Sequence, residues 1–121
     1  MSKTITQSAA ARTNRYDVVV VGGGFAGAMT VVHLLQNATR SIRIAVVEDR
    51  PDIGLGVAYS TTSESHLLNV PTSRMSAFAS SPQHLDKWLD QSGHHFPCTA
   101  EGTFIPRLIF GRYVRDILDE A

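Results

Sequence analysis

Cysteine is nearly absent from this chain: Cys98 stands alone, so no disulfide can close within it and no cage of several thiolates can hold a zinc ion. Neither sign of charge is in excess, since 11 Lys and Arg stand against 11 Asp and Glu. Proteins that bind nucleic acid or anionic membranes usually carry a basic surplus. The balance therefore points away from nucleic acid and from membrane as partners. No apolar run approaches the roughly 20 residues that a membrane-spanning helix needs. Residues 1–15 contain Lys3, Arg12 and Arg15 but no acid, and they lack the apolar stretch of an export signal. A disordered tail is the plainer reading of residues 1–15; a transit peptide is the alternative. With no disulfide and no export signal, a reducing cytoplasm is the expected compartment.

What is present fits one soluble domain over residues 16–121, with 43% hydrophobic residues in a chain of 121. Its organising stretch is DVVVVGGGFAG, residues 17–27. Four valines in succession read as a strand of a buried parallel sheet, and the glycines that follow read as a tight turn into a helix. Gly22, Gly24 and Gly27 fill a G-x-G-x-x-G pattern, with Gly23, Phe25 and Ala26 between them. In that pattern the first glycine makes the turn, the second lets backbone approach a pyrophosphate, and the third lets helix and strand pack closely. The amides and dipole at the helix start then favour phosphate.

Alone the pattern says little; it needs a helix, a second strand and an acid about 20 residues on. Residues 28–36 can continue a helix, residues 42–47 are apolar and rich in β-branched side chains, and Glu48 follows. A right-handed crossover brings the end of the second strand beside the glycine turn, so Glu48 is aimed at a ribose. A carboxylate there favours the free 2′-hydroxyl of FAD or NAD over the 2′-phosphate of NADP. Arg50 reads as a solvated charge in preference to a phosphate ligand, and His33 as a packing or surface residue. Further on, Gly54 and Gly56 suggest a loop that passes close to the ligand or to the first glycine turn, with an ordinary irregular connection as the alternative.

The remainder holds fewer chemical signals. Residues 65–79 mix apolar Leu67, Leu68 and Val70 with Asn69, Arg74 and Ser76, and Pro71 breaks any regular element there. Polar groups in such a loop need backbone or ligand partners. Ser81 and Pro82 suggest the start of a short helix with Leu85, Trp88 and Leu89 in the core. Residues 91–102 read as a polar loop; its adjacent His94 and His95 lack the surrounding ligands of a metal site. After Pro106, the apolar residues Phe110, Tyr113, Val114, Ile117, Leu118 and Ala121 mark an amphipathic helix. Arg112 with Asp116 and Arg115 with Asp119 have the spacing of ion pairs on its polar side.

Taken in order, VVVVGGGFAGA, VVEDRPDIGLGVAYST, HLLNVPTSRMSAF and FIPRLIFGRYV resemble the amino-terminal part of FAD/NAD(P)-binding proteins of the FAD-dependent urate hydroxylase and aspartate N-monooxygenase type. The resemblance implies a Rossmann-like α/β unit, FAD as the held cofactor and NAD(P)H as electron donor bound outside this chain. It also implies oxygen-dependent hydroxylation of a small-molecule substrate. By position, Gly22, Gly24, Ala26 and Gly27 would hold the pyrophosphate, Glu48 the ribose, and Asn69 would approach the flavin.

Only two clear parallel strands are legible, and a parallel pair cannot cover its own apolar faces. The last helix runs to Ala121 without a stop signal. Both features lead to the expectation of an incomplete amino-terminal part of a larger domain, inactive by itself. Its partner would be the remainder of the same enzyme or another subunit. No catalytic acid, base or nucleophile stands out, as expected where the cofactor carries the redox chemistry. Two further readings are an NAD-dependent dehydrogenase fragment and a non-catalytic binding module.

Overall fold

A computed structural model describes residues 15–121, so the expected tail lies outside the described residues apart from Arg15. The first three elements are β1 (Val18–Val21), α1 (Phe25–Asn37) and β2 (Ile44–Val47). The strands pair in parallel, Val18 with Ile44 through Val21 with Val47, and α1 is the crossover between them. This βαβ unit is the α/β, Rossmann-like arrangement expected from the glycine pattern.

The strand coincides with the four valines and leaves Tyr16 and Asp17 outside it. Tyr16 lies beneath the Arg43 guanidinium at 5.3 Å from its ring centroid. Asp17 accepts from the Arg43 amide at 2.8 Å and from Arg40 Nη2 at 3.1 Å. These bonds, the Arg43 amide first, hold the Asp17 carboxyl below its ordinary pKa of 3.8. A depressed folded-state pKa contributes stability above the unfolded value and loses it as pH falls through the folded one. Asp17→Ala should therefore melt earlier than the parent at neutral pH, and the difference should shrink as pH falls from about 4 through the folded-state pKa. A melting-temperature difference as large at about pH 2 as at about pH 7 would contradict that assignment.

Alternation along the strands divides the sheet into unlike faces. Val20, Ile44 and Val46 pack towards the core, whereas Val19, Val21 and Val47 are 56%, 81% and 55% exposed. The core lies on the helical side. There Ala28, Val31 and Val32 of α1 meet the buried stripe of α4 (Arg107–Glu120), opened by Pro106. All six residues picked out by the helical spacing, Phe110 through Ala121, are buried. Leu85 and Leu89 of α3 (His84–Gln91) join the same core.

Between these elements lie a short helix, α2 (Gly56–Tyr59), a 3₁₀ turn at Thr72–Arg74 after Pro71, and a hairpin of β3 (Cys98–Thr99) with β4 (Gly102–Thr103). The hairpin falls in the stretch read as loop; two-residue strands carry too little pattern to be seen. Of the polar residues named in the 65–79 segment, Ser76 finds protein partners, whereas Asn69 and Arg74 are exposed. Ser76 Oγ donates to the Ser81 carbonyl at 2.6 Å, and the buried Tyr113 hydroxyl accepts from the Ala77 amide at 3.1 Å. His84 Nδ1 lies 2.8 Å from the same hydroxyl.

Several local expectations are corrected. Gln83, not Ser81, caps α3. Trp88 is half-buried at the core margin, because its indole N–H reaches the Asp116 carboxylate at 2.9 Å. Asp116 is thereby engaged, and Arg115 pairs with Asp52 at 3.0 Å instead of with Asp119. Neither expected i, i+4 pair forms among the described residues, whose ion pairs are Arg40–Asp17 and Arg115–Asp52. Leu67, expected inside, is 51% exposed at an isolated bridge to Pro106, while Leu68 is buried.

Candidate functional site

At the end of β1 the chain turns through Gly22, whose φ of +94° is a left-handed conformation that favours glycine. A methyl group added there would meet nothing within 4 Å, so the turn faces open space. Gly27 is required for a different reason, since its would-be Cβ falls onto the Gly22 carbonyl oxygen and close to Val20. This contact is the close helix–strand packing expected of the third glycine.

Gly24 is the N-cap of α1, with extended backbone and no side-chain capping bond. No acidic side chain occupies the first turn. Helices leave their first amides without internal partners, and the aligned peptide dipoles make this end positive. An anion placed over Gly24, Phe25 and Ala26 would meet those amides with no competing carboxylate on the helix. Phe25 turns its ring into protein, 6.2 Å from Tyr59 and 5.8 Å from Phe110 between centroids, and so seats the helix start against α2 and α4.

Glu48 directly follows β2, and the parallel register sets it beside the glycine turn. Its Oε2 accepts from the Gly23 amide at 2.6 Å, and its Oε1 from the Arg50 amide at 3.1 Å. A Cβ at Gly23 would fall 2.9 Å from Oε2, so any larger residue would oblige the Glu48 side chain to shift. The Arg50 and Gly23 amides, by donating to it, help to hold the Glu48 carboxyl below its ordinary pKa of 4.5. An ionised carboxylate has about four acceptor positions, so two remain for the paired hydroxyls of a ribose. The residues present thus fit a dinucleotide: amides and open space for the pyrophosphate, and a charged acceptor next to it for the sugar.

The structure brings Gly22, Gly23, Gly24, Phe25, Ala26, Gly27 and Glu48 into one site. Asn69 is exposed beyond the Leu67–Pro106 bridge, and no hydrogen bond among the described residues ties it to the glycine turn. The bond from Gly23 to Glu48 was not foreseen; Gly23 reads in sequence as an unconstrained position of the pattern. Its signal is the run of three consecutive glycines, Gly22 to Gly24, where the pattern asks only for the outer two.

A cavity of about 730 Å³ is an open apolar groove along α1, not over the glycine turn. It runs along α1 from Ala26 past Met29 and His33 to Asn37, then to Asp17 and Arg40. His33 is exposed and edge-on to Phe78 at 5.6 Å. His94 stacks on Trp88 at 5.8 Å. Among the described residues no three His, Cys, Asp or Glu side chains cluster as metal ligands, and no helix is long and apolar enough to cross a membrane.

No curated protein and no solved structure matches this chain. A family model described as FAD-NAD(P)-binding does match, over residues 19–121. That span takes in the whole glycine turn, the start of α1 and Glu48, the parts whose geometry suits a dinucleotide. The chain belongs to the FAD-NAD(P)-binding family.

Proposed function

We propose that this chain is the FAD-binding portion of a flavin-dependent oxidoreductase. In this reading the amides at the start of α1 hold the pyrophosphate, Glu48 binds the adenosine ribose, and Asn69 lies towards the flavin. The observation that carries it is the 2.6 Å bond from the Gly23 amide to Glu48 Oε2, which joins the phosphate turn and the ribose acceptor in one site. Bound flavin would supply the redox chemistry, while the protein binds and orients it. The resemblance supports the finer assignment: a monooxygenase that takes electrons from NAD(P)H and hydroxylates a small molecule. The exposed apolar side of the sheet supports a partner, either the remainder of the same enzyme or another subunit, with the complex working in the cytoplasm.

Purification with the natural partner sequence and a visible spectrum test the cofactor; colourless protein that binds NADH and no FAD would sink the flavin assignment. Glu48→Ala is expected to weaken FAD binding about tenfold or more, the effect of losing a charged hydrogen-bond acceptor. Glu48→Gln, which keeps a neutral acceptor, should fall between. Unchanged affinity in the alanine variant, read by flavin fluorescence titration, would make Glu48 an ordinary surface acid.

A further inference from the structure

The second glycine loop sits against the first, backbone on backbone. Gly54 donates its N–H to the Gly23 carbonyl, and Gly56 faces Gly24. A Cβ on Gly56 would stand 3.1 Å from the Gly24 Cα, closer than side-chain atoms normally approach backbone. Neither partner is a flexible side chain that could swing aside. Gly56 also has φ +56°, which favours glycine independently of the available space. From the far side, α4 holds this loop in place. A side chain on its Gly111 would press on Leu55 and the Tyr59 carbonyl, and Arg115 of α4 binds Asp52.

We infer that Gly56 is a positioning residue for the pyrophosphate end of the site: its backbone, lodged against Gly24, fixes the direction in which the first amides of α1 point. The inference rests on the dinucleotide reading above and adds a residue that touches no ligand itself. It also divides the site in two. Gly56 governs the phosphate end through Gly24, whereas the ribose end is set by Glu48, whose bonds run to Gly23 and Arg50. A shift of Gly56 should therefore disturb phosphate binding and spare the sugar.

The test is an NMR titration with FAD, ADP and adenosine, which reads weak and tight binding alike. Gly56→Ala is expected to lose about tenfold or more in affinity for FAD and ADP, the scale of a misdirected charge-assisted hydrogen bond, with adenosine affinity changed less than about twofold. Gly56→Asn, a side chain that tolerates positive φ, should lose as much, because the effect comes from contact with Gly24 and not from φ. On the unsubstituted protein, ADP should shift the amide resonances of Gly54 and Gly56 together with those of Gly24 and Phe25, and adenosine should not. This last measurement requires no variant to fold. Full ADP affinity in both variants, equal losses for adenosine and ADP, or Gly54 and Gly56 resonances indifferent to ADP would each overturn the positioning role. Binding of FAD and ADP by neither parent nor variants would overturn the dinucleotide reading itself, and this inference with it.

Discussion

Gly27→Ala should cost about 3 kcal/mol or more, the upper range for forcing atoms into filled space. The new methyl group would collide with the Gly22 carbonyl oxygen, a backbone atom held in the turn, and would also crowd Val20. Relief requires α1 to move away from β1, which opens the only crossover that connects the two parallel strands. Small domains are stable by about 5–15 kcal/mol, so a loss of that size removes a large part of the total. Gly24→Ala is the internal comparison: its methyl would rest 3.6 Å from the Gly56 Cα, an ordinary contact. Denaturant midpoints of the two variants measure the contrast. Equal midpoints would mean that the turn yields at Gly27 as readily as at Gly24.

Phe110→Ala is expected to cost about 3–5 kcal/mol, as for other fully buried aromatic side chains. Phe110 has no solvent exposure and stands between Phe25, Tyr59 and Tyr113, with ring centroids 5.8, 4.8 and 5.6 Å away. Its removal leaves a hole where α1, α2 and α4 meet, and the surrounding rings are too constrained to fill it. For a chain of this size a loss on that scale lowers the melting temperature by more than about 10 °C. Because Phe25 is the first residue of α1, the same substitution should loosen the helix start. Hydrogen exchange of the Ala28 amide, which donates to the Gly24 carbonyl at 2.9 Å, would then quicken beyond the change at the far end of α1. A melting temperature within about 3 °C of the parent would show that the cluster repacks around the gap.

Much of the geometry around the glycine turn was legible in the sequence, because each of its requirements is local. Three glycines at set spacing define the turn, a valine run defines β1, and an acid after a second apolar run places Glu48 beside them. The stripe of α4 was equally clear, since burial of one helix face repeats with a fixed period. What escaped depends on partners distant in the chain. Arg115 looked suited to Asp119 four residues on, yet it binds Asp52, which folding carries to its side. Trp88 looked like a core residue because nothing local shows that its N–H will find Asp116. The contact of Gly56 with Gly24 could be anticipated as proximity to the first turn, but its backbone-to-backbone character and direction come only from the folded chain.

Asp17 has one more role beyond holding the start of β1. The four valines after it carry no charge and no proline, and one edge of their strand bonds to β2 while the other has no strand beside it among the described residues. Such a strand is a template for cross-β growth, in which identical segments from separate molecules stack edge to edge. A charged residue directly before an apolar strand acts as a gatekeeper, since stacking copies would bring like charges together at every step. Asp17, fixed by Arg40 and Arg43 at the mouth of the valine run, therefore guards solubility as well as register.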